Sequence, residues 1–277
     1  MRISCITPCY KMERYLKVFL DELPKQTIFD DIEVVLDHND PTEIEVFWVK
    51  QFQAKYPGRI KHIITNPVQP IGVSMNTCIM ESSAPYVCIW NVDDLRTADS
   101  LEKQVLFLEK NEDYGVCHGN FVISKAFGVK SGLFIDHSEY VNGHPELTRG
   151  MVIGPFFAWR KALCNKVGYF DEQLKSGADF DLAIRLASST KVGVVHGVVG
   201  YYLDEGRGAS TNGSYKQPVE RTVIEKRYGI LDKIEQRWLN HENFSDYDSQ
   251  TIVNFGKAHC VREFFDDYDS FIKGNVK

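Results

Sequence analysis

The 277-residue chain lacks any excess of positive charge: 32 Lys and Arg stand against 38 Asp and Glu, a formal net charge of -6. Nothing in that balance neutralises a nucleic-acid backbone, so no nucleic-acid partner is expected. Long apolar runs are missing too. None approaches the ~20 residues that span a bilayer, and the N-terminus carries no long apolar core with a small-residue cleavage site. Cysteine is present but unorganised: Cys5, Cys9, Cys78, Cys88, Cys117, Cys164 and Cys260 occur singly, without a C-x-x-C pair, mostly inside apolar runs such as Tyr86–Trp90. That pattern argues against a disulfide framework and a structural zinc site, and for buried reduced thiols. A soluble cytoplasmic protein is the expectation, with no transmembrane segment and peripheral docking on a membrane left open.

The two common phosphate cradles, G-x-G-x-x-G and G-x-x-x-x-G-K-[ST], do not occur, nor does H-E-x-x-H. Gly72-Val73-Ser74-Met75-Asn76 is not a G-x-S-x-G elbow, which disfavours a serine hydrolase. What is plentiful is packing material. At 43% hydrophobic, with 17 Phe and 13 Tyr, the chain suits one large domain or a domain with an appendage.

The first half alternates short β-rich runs with helical spacing, the pattern of a mostly parallel sheet covered by helices. Strands are expected at Ile3–Ile6, Ile32–Leu36, Lys61–Thr65, Tyr86–Trp90, Gly115–Ile123 and Val192–Tyr202. Helices are expected between Tyr15 and Leu23, over Glu43–Tyr56, from Gly72 through Ile79, around Leu101–Leu108, over Lys161–Val167, and from an Asp181 N-cap through Ala187. Phe127–Gly150 reads as an irregular loop, and Asp37–Pro41 as the turn ending the second strand. The expected boundary falls at 212/213: a catalytic α/β unit over 1–212, then a C-terminal helical hairpin over 213–277 that offers a surface for homo-oligomers.

Ligands of an open parallel sheet bind beyond the carboxyl ends of its strands. Here those ends are Thr7-Pro8-Cys9-Tyr10, Asp37 and Asn91-Val92-Asp93-Asp94. Acidic residues repel a diphosphate unless a hard divalent cation lies between them and the phosphate oxygens. Taken alone, Asp93 and Asp94 fit a helix cap or a solvated turn better than a metal site.

In order along residues 3 to 212, the sequence resembles the family-2 glycosyltransferases of the GT-A fold. Ile6–Lys11 looks like that family's first strand and donor turn, Glu33–Asp37 like its second strand, and Ile71–Asn76 like the turn and helix start beside the nucleotide. Asn91-Val92-Asp93 stands where the family has D-x-D. Trp159-Arg160-Lys161, Val167–Glu172 and Gly177–Leu182 resemble its acceptor-side segment. The resemblance implies a GT-A, Rossmann-like fold with a mixed, mostly parallel sheet flanked by helices. It implies inverting transfer from a nucleoside-diphosphate sugar to a glycan, lipid-linked or protein acceptor, assisted by Mn2+ or Mg2+. By the same resemblance Asp179 is the general base, Asp93 the metal ligand with Asp204 a second candidate, and Thr7, Pro8, Tyr10, Asp37, Gly72, Asn76, Asn91 and Asp94 lie around the donor.

Three positions depart from the family pattern: Asn91 for the first acid of the triplet, Ala178 for the Glu before the base, and His38 for a second Asp after strand two. His38 reads as a solvated turn residue or an altered donor contact. Trp159 fits the core better than a sugar platform. The competing functions are a degenerate nucleotide-sugar-binding protein, which Asn91 and Ala178 keep in view, and a sugar nucleotidyltransferase, which would need a Gly- and Arg-rich loop after the first strand.

Overall fold

A computed structural model describes residues 1–136, 151, 153–206, and five positions further on: 220, 221, 224, 225 and 228. The strands are β1 (Ile3–Tyr10), β2 (Ile32–Asn39), β3 (Ile60–Thr65), β4 (Tyr86–Ile89), β5 (Leu95–Arg96), β6 (Tyr114–Ser124), β7 (Leu133–Ile135), β8 (Ala158–Arg160) and β9 (Lys191–Leu203). The helices are α1 (Glu13–Glu22), α2 (Glu43–Lys55), α3 (Ile71–Glu81), α4 (Ser100–Lys110), α5 (Cys164–Val167) and α6 (Ala178–Ser189). They form one mixed sheet in the order β3-β2-β1-β4-β8-β6-β9-β5, with β7 beside β6. β3, β2, β1 and β4 run parallel, and so do β6 and β9, while β8 lies antiparallel between the two blocks. No described helix is long and apolar enough to cross a membrane.

Alternation along the strands fills both faces of the sheet. Cys5, Cys9, Val34, Leu36, Cys88 and Trp90 meet α1, α2 and α4 on one side. Ile6, Val35, Val87 and Ile89 meet α3 and α6 on the other. A period of two thereby builds a three-layer domain with two cores. The Phe19 and Trp90 rings meet edge to face at 5.4 Å. All six cysteines among the described residues are buried and free.

Two strands outrun the expected turns. β1 continues through Pro8 because β4 pairs with it only as far as Ile6, so one flank is open where a residue without N–H is tolerated. β2 continues through Asp37, His38 and Asn39, each of which has a register partner on β3. The turn starts at Asp40, in left-handed backbone with φ 49°. α2 then opens with a capping box: the Thr42 hydroxyl accepts the Glu45 N–H, and the Glu45 carboxylate accepts the Thr42 N–H.

The stretch read as an irregular loop includes β7, which pairs with Phe121–Ile123 of β6; residues 137–150 lie outside the described set. Most of the expected C-terminal hairpin also lies outside it. Of its described positions, Ile224 and Tyr228 are buried in the core around α6, on the catalytic side of the expected boundary.

Candidate active site

The carboxyl ends of β1 and β2 and the start of α3 frame a cleft of about 290 Å³ whose wall includes Pro8, Tyr10, Asn39, Pro70, Ser74 and Lys175. Asp37, expected to contact the donor, is fully buried behind it. Its carboxylate accepts the Thr65 hydroxyl at 2.5 Å, the Ser74 hydroxyl and the Asn39 amide at 3.1 Å. Asn39 in turn reaches Ser74 at 3.2 Å and accepts the Gln69 N–H at 2.8 Å. Asp37 thus orients Ser74 and Asn39, and these two line the cleft. The sequence reading missed Asn39, Ser74 and Lys175. Asn39 was recoverable, because it lies two residues beyond Asp37 and so on the same face of β2.

Other expected donor contacts divide. Pro8 and Tyr10 are in the cleft wall. The Thr7 hydroxyl is buried without a hydrogen-bond partner. Gly72 and Asn76 are turned away, toward the segment before α6. A Cβ on Gly72 would come within 3.0 Å of the Asp171 carbonyl, and Asn76 brackets Phe170 by donating to its carbonyl at 3.0 Å and accepting its N–H at 2.9 Å. Both seat α3 against that segment. His38 is neither a solvated turn residue nor a donor contact; it is fully buried on the α2 face of β2. Trp159 is a core residue.

After β4 the chain turns through Asn91–Asp94, and the two acids part company. Asp94 is buried; it accepts the Leu203 N–H at 3.0 Å and the Asn91 amide at 3.1 Å, tying the turn to the end of β9. Burial first, and Asp93 beside it second, push the Asp94 carboxyl up to about 8. It therefore braces the turn. Asp93 is half-buried at a crevice shared with Ser124, Phe127, Tyr201 and Leu203. Its carboxyl is also raised, by burial and then by the charge of Glu205.

Asp204, the expected second metal contact, is paired with Lys125. The field of its neighbour Glu205 reaches Asp93. Arg14 holds the Glu205 carboxylate through two bonds of 2.9 and 3.0 Å, and Tyr15 and the Phe127 N–H add 3.2 Å bonds. Glu205 raises Asp93 but is itself lowered, held by the Phe127 N–H, Tyr15 and Arg14, so Asp93 is the carboxylate oxygen donor left open to a hard divalent cation. The residues around Asp93 fit the manganese or magnesium that the resemblance implies.

Asp179 is the second residue of α6 and lines a cavity of about 260 Å³ with Phe121, Ile123, Met151, Phe180, Tyr202 and Arg221. Its carboxylate accepts the Phe180 N–H at 2.8 Å. Burial raises its carboxyl to about 6, against the lowering by that N–H, and Glu220 adds a smaller push upward.

The N-cap of α6 is Gly177, which has no side chain to satisfy the free N–H groups of the first turn. From 43 residues away Glu220 instead holds the backbone leading into the helix, accepting the N–H groups of Lys175, Ser176 and the N-cap Gly177, each at 2.7 Å. An anion there also suits the helix dipole. Asp181, expected as the N-cap, sits inside the helix. It pairs with Arg185 at 2.6 Å, both groups fully buried, and accepts the Tyr228 hydroxyl at 2.8 Å. Its helical pattern is real, but the helix starts three residues earlier than Asp181.

The sequence profile of the family described as "Glycosyl transferase family 2" matches residues 4–168. The putative glycosyltransferase EpsE of Bacillus subtilis is 30% identical over 129 residues, 47% of this chain and 46% of that protein. The poly(ribitol-phosphate) beta-N-acetylglucosaminyltransferase TarS of Staphylococcus aureus is 24% identical over 269 residues, 94% of this chain and 44% of that one. The chain thus spans under half the length of these two relatives. Among solved structures, S. aureus TarS 1-349 in complex with UDP-GlcNAc superposes with a TM-score of 0.67 at 19% identity, covering 99% of this chain and 74% of that one. The mannosyltransferase PcManGT from Pyrobaculum calidifontis, in complex with GDP-Man and Mn2+, gives 0.60 at 13% identity, covering 99% and 84%. At these identities the structural likeness establishes the fold.

Proposed function

The chain belongs to glycosyl transferase family 2, and we propose that it moves a sugar from a nucleoside-diphosphate sugar to an acceptor hydroxyl with inversion at the anomeric carbon. One observation carries this reading. Ile123 and Tyr202, register partners on β6 and β9, line the Asp179 cavity, while the next pair, Ser124 and Leu203, lines the Asp93 crevice. Two carboxylates 86 positions apart in sequence therefore adjoin the same strand ends.

In this reading the nucleotide lies in the cleft of Pro8, Tyr10, Asn39 and Ser74, and its diphosphate runs toward Asp93. Asp93, with Glu205 beside it, would hold manganese or magnesium, which offsets the charge that gathers on the departing diphosphate. Asp179 takes the proton of the acceptor hydroxyl as that oxygen bonds to the anomeric carbon. The bond from that carbon to the diphosphate oxygen breaks, and the nucleoside diphosphate leaves with the electron pair. A carboxyl near 6 suits the task, being ionised at neutral pH and still basic enough to hold a proton. Glu220 keeps the α6 N-terminus, and with it Asp179, in place. Phe121, Phe180 and Tyr202 give the sugars apolar faces to pack on.

The relative crystallised with UDP-GlcNAc makes that donor the first to try. Calorimetric titration with UDP-, GDP- and dTDP-sugars in manganese, followed by turnover assays across glycan, lipid-linked and protein acceptors, tests the proposal. The expected outcome is product of inverted anomeric configuration by NMR. Binding of a donor that is never cleaved with any acceptor would instead make the chain a nucleotide-sugar-binding protein.

A further inference from the structure

Cys9 and His38 are register partners on β1 and β2, and both face α2. Glu45, in the first turn of α2, descends onto the same spot. Cys9 Sγ, a His38 ring nitrogen and a Glu45 carboxylate oxygen all lie within 4.8 Å of one another, and the three residues are essentially inaccessible to solvent. Among the described residues no other such trio of His, Cys and acidic groups occurs.

The trio is left with unmet bonding capacity. Glu45 Oε2 is engaged by the capping box with Thr42, but Oε1 has no hydrogen-bond partner, and neither has His38 Nε2. His38 Nε2 lies 3.6 Å from Glu45 Oε2, beyond hydrogen-bond reach. On the far side of the ring, His38 Nδ1 lies 3.2 Å from His62 Nε2. A proton on Nε2 would find no acceptor. A proton on Nδ1 finds His62, and it leaves the Nε2 lone pair free on the Glu45 side. Burial lowers both imidazoles, His62 to about 4. Unmet buried groups of this kind are costly and call for a partner.

We propose that Cys9, His38 and Glu45 bind a zinc-class divalent ion, in a second metal site separate from the one at Asp93. A thiolate and an imidazole select such an ion over magnesium or manganese, and a carboxylate completes three protein ligands with one position open. The thiolate and carboxylate balance its charge. His62 takes the outer position that usually fixes the tautomer of a ligating histidine. Ligands of tetrahedral zinc sit ~3.5 Å apart, so small side-chain rotations close the site. Binding releases the Cys9 thiol proton to solvent. The ion would tie the ends of β1 and β2 to α2, just behind the cleft wall formed by Pro8, Tyr10 and Asn39.

Cobalt titration of the metal-stripped full chain tests this. The wild type should take up one cobalt ion with an intense near-ultraviolet thiolate-to-cobalt absorption, displaced by zinc and untouched by excess magnesium. Asp93→Ala should keep the band. Cys9→Ser should lose it, and His62→Ala should weaken cobalt binding by about 10- to 100-fold. Absence of the band in the wild type, or its survival in Cys9→Ser, would overturn the site. Should Cys9→Ser fail to fold, zinc-edge X-ray absorption on the wild type decides: one sulfur at ~2.3 Å with nitrogen and oxygen at ~2.0 Å supports the site, and no sulfur shell refutes it.

Discussion

The two ends of the active-site rim treat a buried carboxylate in opposite ways. At the nucleotide end Asp37 receives donors from Thr65, Ser74 and Asn39, so its oxygens are occupied and its work is to hold the shape of the cleft. At the proposed acceptor end Asp179 accepts the Phe180 N–H on one oxygen and faces a cavity. A carboxylate surrounded by donors is a fixed strut, whereas one with an open oxygen facing a cavity suits the proposed role of base. The adjacent pair repeats the lesson over a single peptide bond, since Asp94 is bound by Leu203 and Asn91 while Asp93 looks into a crevice.

Four perturbations would break or sharpen that contrast. The largest effect is expected from Asp179→Asn, which keeps the shape and removes the base: turnover should fall by about 10²–10⁴ with donor affinity retained. A rate near wild type in steady-state assays would place the base elsewhere. Next is Asp181→Ala, two residues along the same helix. It strands the buried Arg185 guanidinium, and urea denaturation should show a loss of about 3–5 kcal/mol. Third, Asp93→Ala should weaken manganese-dependent donor binding by about a hundredfold, read by calorimetry with and without the metal. Unchanged affinity would reassign the metal ligand.

The mildest test is of pH. Asp179 is raised to about 6 in the folded chain, so kcat/KM should climb as pH rises through about 6 and then level off. Stability runs the other way. The folded chain holds a proton that the unfolded chain has already released, so this group's contribution is full at low pH and is lost as pH rises through about 6. Glu220→Gln removes a charge that helps raise Asp179, and the activity limb should move to lower pH. A limb that stays in place would show that Glu220 acts only as a brace for the helix start.

Much of the fold was legible because burial leaves a periodic trace. Apolar residues at period two and at helical spacing located β1 to β4, β6, β9 and the helices between them. Strand ends were read short where polar residues follow apolar ones. Asp37, His38 and Asn39 look like a turn by composition, yet β3 pairs all three and α3 and α2 bury them. Asp181 was misread for a related reason. An acid at the start of an apolar pattern resembles a cap, and the acid that holds the real helix start, Glu220, comes from a distant segment that no local rule connects to α6. The thiols were read only as buried and reduced because no spacing links Cys9 to His38 and Glu45; only strand register and helix docking bring them together.

Sequence by itself determined the class of fold and the residue types at the rim, because period, capping chemistry and ordered motifs are local properties of the chain. It did not determine which acid acts. Asp37, Asp93, Asp94, Asp179, Asp181 and Asp204 differ little as letters. Only the tertiary structure decides which of them meet N–H groups, hydroxyls or a cation, and which keep an oxygen open, since those partners arrive from strands and helices far away in sequence.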